Sequence, residues 1–258
     1  MAACRARHTA RPSAACAVCA AGAARDSDVF LLHLAGWSSQ QRPRHGPGID
    51  FVIGYVMAQR EAAQDQLAEA GQDFPFAFDR LQAETVAAVH RPPAGLNMLV
   101  DLARPLLGGL LRELDEAAAR NLEDYEHLHH ARIVGKRLRY AMEVFGDCFG
   151  AGFRNELYAT VEEMQEILGR ANDSFVACQW LQGLRERLRG AVPTQWKRLR
   201  PGIEGLLHFH EQQLPHKRDQ FRAWLQQWQA EGGEAALASL KPVAVPAPAA
   251  DRAPPAAA

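Results

Sequence analysis

His129, Arg132, Lys136 and Arg139 stand three, four and three residues apart. At about 100° per residue this spacing brings all four within roughly 80° of one helix face, with Glu143 among them. Val134, Leu138, Ala141 and Phe145 fall on the opposite side. The segment therefore predicts a helix with one face for a core and the other a row of cations, each a turn from the next. A solvated charged face is the competing reading, but such faces normally mix signs through i,i+4 Glu–Lys pairs. No acid lies between His129 and Arg139. Cations held this close repel one another unless an anion sits among them. The chemistry on offer is the binding of a polyanion: Arg132 and Arg139 as guanidinium forks, Lys136 as a point charge, and His129 donating when protonated or in the right tautomer. Arg137 lies to one side of the row and is a further candidate.

Other residue types that could do chemistry are sparser. Lys217, Arg218 and Arg222 precede or interleave with Phe221, Trp224, Leu225 and Trp228. They offer a second basic wall, against which stands the simpler reading of a solvated face. His208, His210 and His216 have no acidic or cysteine partner at ligand spacing, and an i,i+2 pair does not share a helix face. No metal site is expected there. Cys16 and Cys19 form a lone CxxC with no second pair. Cys148 and Cys178 read as small buried side chains of a reduced cytosolic protein. There is no phosphate-cradling P-loop, no G-x-S-x-G and no paired-carboxylate site. These residues describe a binding module without a cofactor rather than an enzyme.

With 258 residues the chain has room for one large domain or two small ones, and its formal net charge is −1. A whole-molecule attraction to nucleic acid is thereby disfavoured, and any polyanion site must be a local concentration of charge. Arginine outnumbers lysine. That suits phosphate recognition and, equally, a GC-rich genome. No stretch is long and apolar enough to span a bilayer.

The cations are positioned by helices. Residues 1–21 show no 3.6-residue pattern and read as a disordered or non-native start. Gly22 to Val29 repeats in Gly169 to Val176, with Asp26 matching Asp173 and Ser27 matching Ser174. Gly36 to Gly48 reads as a loop, Ile49 to Ala70 as an amphipathic helix, and Phe74 opens another that stops before Pro92. Leu96 to Arg120 is helical, with a kink or fresh start expected at Pro105. The basic segment occupies Glu123 to Phe149. Asn172 or Asp173 is a plausible N-cap for a helix running through Leu188. Apolar positions continue from Trp196 to Trp228, and residues 231–258 form an Ala- and Pro-rich tail read as disordered.

His129, Arg132, Lys136, Arg137-Leu138-Arg139-Tyr140 and Glu143 resemble the signature of the CHAD family, the conserved histidine α-helical domain. Met164-Gln165-Glu166-Ile167-Leu168-Gly169-Arg170-Ala171-Asn172-Asp173 resembles that family's second element and follows in the expected order. The resemblance covers roughly residues 20 to 230 and implies an all-α fold of antiparallel helical bundles in two pseudo-symmetric halves. It implies residues 22–95 as the remnant of a first, truncated bundle and 96–230 as the second. It also implies a basic cavity that binds inorganic polyphosphate, in the cytoplasm and on polyphosphate granules. A first-half basic helix upstream of Gly22, which the family pattern calls for, is missing from this sequence. Two alternatives stay open: a protein–protein scaffold and a nucleic-acid-binding helical module. A homo-oligomer is left open too, and no membrane partner is expected.

Overall fold

The computed structural model describes residues 14–38, 43–71, 74–89 and 99–232; for 14–20, 74–78 and 88–89 it describes the backbone alone. Seven α-helices account for almost all of these residues, and no strand occurs among them. They are α1 (Ala14–Ser38), α2 (Gly46–Gly71), α3 (Phe74–Val89), α4 (Leu99–Ala118), α5 (Tyr125–Phe145), α6 (Ala159–Ala191) and α7 (Pro193–Ala230). None of them is long and apolar enough to cross a membrane.

The helices sort into two units. Unit 1 takes residues 1–94 and 172–215, and unit 2 takes 95–171 and 216–258. The sequence reading drew one contiguous bundle over 96–230, whereas this grouping sets 172–215 apart from 95–171 and 216–258. Asn172 and Asp173 cap nothing, because α6 runs through them unbroken. The helix propensity of the flanking Leu, Ala, Arg and Gln residues outweighs the local turn preference of Asn-Asp. Both α6 and α7 therefore give one part to each unit. Helix α1 begins at Ala14, within the stretch read as a disordered start. Its first turns are alanine-rich, and alanine needs no apolar pattern to favour a helix. Residues 1–13 and the tail from 233 lie outside the described residues.

Unit 1 is built on Leu34 of α1, Ile49, Val52 and Val56 of α2, Leu181 and Leu184 of α6, and Ile203 and Leu206 of α7. Phe51 and Tyr55 are half-buried against this cluster, and Tyr55 meets Trp180 with ring centroids 5.7 Å apart. The core closes where α2 and α7 touch at two glycines. A Cβ on Gly48 would stand 2.9 Å from Gly202 Cα and closer still to the Leu199 carbonyl. A Cβ on Gly202 would stand 2.8 Å from Gly48 Cα and closer still to the His45 carbonyl. The contacts are reciprocal, as a two-fold exchange of the two helices would make them. They also expose a second internal repeat, Pro47-Gly48-Ile49-Asp50 against Pro201-Gly202-Ile203-Glu204, that the sequence reading passed over. Helix α3 is exposed at every position from Asp79 to Ala87.

His210 of α7 is 3% exposed, lies 3.4 Å from Ser174 Oγ and stacks on Phe30. Burial, with a smaller push from His33, pulls its pKa down from 6.5 to about 4. Folded His210 thus stays neutral where the unfolded chain takes up a proton. Its effect on stability is nil above pH 6.5, grows as pH falls towards 4 and levels off below. At pH 5 the expected loss is about 2 kcal/mol, at 1.36 kcal/mol per pKa unit. Urea midpoints at pH 7 and pH 5 should differ much less for His210→Gln than for the wild type. An equal difference in both would refute the assignment.

Unit 2 packs α4 against α5, closed by the parts of α6 and α7 that belong to it. Leu107, Leu114, Leu138, Phe153, Met164 and Phe221 are its most deeply buried side chains among others. Pro105 neither breaks nor restarts α4. Its ring falls in the second turn, where it removes few helical hydrogen bonds. A π-helical turn, Phe153–Tyr158, leads into α6. Cys148 and Cys178 are half-buried rather than buried, and burial pushes the Cys178 thiol up to about 11.

Candidate functional site

The basic row sits on α5, in unit 2. The helix starts where Asp124, in extended backbone conformation, accepts a hydrogen bond from the Glu126 N–H at 3.0 Å. Asn121 accepts from the Glu123 N–H one turn earlier, at 3.1 Å. Leu128, Ala131, Val134, Leu138, Met142 and Phe145 bury the inner face. Gly135 lets α6 approach: a Cβ there would stand 2.6 Å from Met164 Cε and nearer to the Gln165 amide. The same Gln165 donates to the Arg132 carbonyl at 3.4 Å. A capped, tightly packed helix fixes the spacing of the cations on its outer face, which run about 15 Å from His129 to Arg139 at 1.5 Å per residue.

Each expected residue has a distinct environment. Arg132 and Lys136 are half-buried, and neither forms an ion pair among the described residues. Lys136 Nζ lies 5.5 Å from the centre of the Tyr140 ring. Arg139 Cζ lies 4.7 Å from the same ring, so one exposed aromatic carries two cations. Arg139 is also bound by Glu143 and, at 3.3 Å, by the Tyr158 hydroxyl. Burial opposes its charge, but these partners outweigh it and raise its pKa. His129 Nδ1 faces the Tyr125 hydroxyl at 3.4 Å. Arg137 points elsewhere, to Glu113 of α4 at 2.6 Å.

The second wall is only partly available. Arg218 and Arg222 of α7 both pair with Glu123, the latter at 3.0 Å. These pairs fasten α7 to the loop before α5, so the two arginines are more than a plain solvated face. Lys217 is different. It donates to Gln220 at 2.8 Å, and its pKa is lowered, by burial first and then by Arg170, with Glu166 only partly offsetting. A cation in that position is relieved by an added anion. Tyr158 was missed in the sequence because it lies on another element, fifteen residues from its nearest partner, Glu143.

No group of three or more His, Cys, Asp or Glu that could hold a metal ion occurs among the described residues. His208 and His216 are exposed while His210 is in the unit 1 core. A cavity of about 360 Å³ lies in unit 1, where Asp26 and Val29 of α1 face Asp173 and Val176 of α6, with Phe30 and Trp180 beside them. Its walls are largely apolar, and its two carboxylates stand with Arg187 and His33 in the lining, so it offers no row of cations to a polyanion.

A family model described as CHAD domain matches residues 13–182. The chain belongs to the CHAD family. The match covers α1 through most of α6 and includes the whole basic helix. The crystal structure of the CHAD domain from the plant Ricinus communis has the same fold, with a TM-score of 0.63 and 24% identity over 88% of this chain and 72% of that one. No protein of curated function matches this CHAD chain.

Proposed function

We propose that this CHAD chain binds inorganic polyphosphate without catalysis, through the outer face of α5. The observation that carries the reading is the pair Arg132 and Lys136, four residues apart on a capped helix and without an ion pair among the described residues. Arg139 and His129 extend the row by about a turn at each end, and Lys217 beside Arg170 is a further cation that Glu166 only partly offsets. A polyphosphate chain has no base to read and no ring to stack. Recognition must then come from charge and charge-assisted hydrogen bonds on successive phosphates. The same reading assigns the protein to the cytoplasm and to polyphosphate granules.

Binding of this kind releases counterions, so log K should fall linearly with log salt. By analogy with single-stranded polyanions the slope is about 0.7 per neutralised phosphate, giving roughly 2 for Arg132, Lys136 and Lys217 together. Titration of long-chain polyphosphate from 50 to 300 mM salt would measure it, with single-stranded DNA and RNA as competitors. Preference for nucleic acid over polyphosphate would replace the ligand.

A protein scaffold is the second reading, favoured by Leu99, Leu102 and Leu106. These recur at i, i+3 and i+7 on α4 and are 56%, 42% and 43% exposed. A flat salt dependence would favour it.

A further inference from the structure

In unit 2 the arginines around the basic row have acids of their own, and the arrangement at Arg139 is the most closed. Glu143 Oε1 accepts from Arg139 Nη1 and from the Tyr158 hydroxyl, the latter at 2.8 Å. Tyr158 and Arg139 are themselves 3.3 Å apart, so the three groups form a ring. Burial and the Glu143 carboxylate raise the Tyr158 pKa, which keeps its proton available for donation. Exposure is uneven across the pair. The Arg139 side chain is 23% exposed and that of Glu143 44%. The carboxylate can swing into water while the guanidinium, stacked on Tyr140, stays where it is.

We infer that Glu143 is an internal counterion of the anion site: it neutralises Arg139 in the free protein and is displaced by the incoming phosphate, with Tyr158 holding it in register until then. This rests on the polyphosphate reading of α5. The consequence is specific. Arg132 and Lys136 take phosphate by releasing salt ions, whereas Arg139 takes it by releasing a tethered carboxylate that does not dilute into the solvent. Arg139 therefore adds to contact but little to the salt dependence. The site is weaker than its charges allow, and a ligand must cover several positions at once to open it. A long phosphate chain can do that; a single phosphate cannot.

Glu143→Gln keeps the shape and the hydrogen-bonding oxygen and removes the charge. It should tighten polyphosphate binding about three- to tenfold at low salt and steepen the log–log salt slope by about 0.7, the increment of one further released ion. Tyr158→Phe loosens the carboxylate and should tighten binding less, in the same direction. Glu186→Gln, an exposed position of α6 in unit 1, makes the same change in net charge and should leave the slope alone. Circular dichroism verifies that each variant is folded. Weaker binding in Glu143→Gln, or an unchanged slope, would overturn the inference while the polyphosphate reading stands. Failure of the wild type to bind polyphosphate would overturn both.

Discussion

Replacing Arg132 and Lys136 together by alanine should lower polyphosphate affinity by about 3–6 kcal/mol, taking 1.5–3 kcal/mol for each charge-assisted contact. That is roughly two to four orders of magnitude in Kd. These two are chosen over their neighbours because they form no ion pair among the described residues, whereas Arg137 is held by Glu113. Arg137→Ala should accordingly cost far less, and the comparison separates local contact from net charge. Both side chains lie outside the buried face of α5, so helicity should be preserved. An affinity unchanged in the double variant would remove the α5 face from the site.

Gly202→Ala should be among the most damaging small substitutions in unit 1. Inside a helix, Gly to Ala ordinarily adds about 0.5–1 kcal/mol of stability. Here the new methyl meets Gly48 Cα and the His45 carbonyl, both backbone. No side chain can rotate away, so α2 and α7 must separate above Ile49, Val52, Ile203 and Leu206, and the packing between them opens. A loss of about 3 kcal/mol is expected, at the upper end of overpacking costs. Gly54→Ala, on the same α2 with open space around it, should do the opposite. At Gly135 the obstacles are the ends of the Gln165 and Met164 side chains, so its alanine variant should be milder. Denaturant midpoints of the three would rank them, and a Gly202→Ala protein as stable as the wild type would contradict the close contact.

What was legible in the sequence was what repeats within one helix. The cation row of α5, its opposed apolar face and the all-helical character follow from periodicity, and each of these is local. The division into units was not legible, because it turns on where α6 and α7 change partners. Neither Gly169 nor Asn172-Asp173 marks that point with a break. Tyr158 was illegible for the same reason, since its role depends on a contact between elements. The glycine crossing is a different case. Pro-Gly-Ile-Asp and Pro-Gly-Ile-Glu stand in the sequence for anyone comparing the halves, but the first falls at the end of a segment that reads as a loop and the second inside a continuous run of apolar positions. Proline in the first turn of α2, and the long α7 that tolerates Pro201 and Pro215, show that a well-packed helix can carry what a local rule would use to end it.

The discontinuity of unit 1 also sets a schedule for synthesis. Helix α2 ends at Gly71, and the α7 segment that completes its core begins only at Pro193. At ribosomal rates of about 5–20 residues per second, that interval lasts roughly 6–24 s. For all of it Leu34, Val52 and Val56 lack the cover that Ile203 and Leu206 will bring. Hairpin formation takes microseconds, so α1 and α2 can pair with each other at once but must wait for the remainder. The nascent chain thus carries an apolar surface through nearly half of its own translation, and a holdase that occupies such surfaces would find its longest opportunity there.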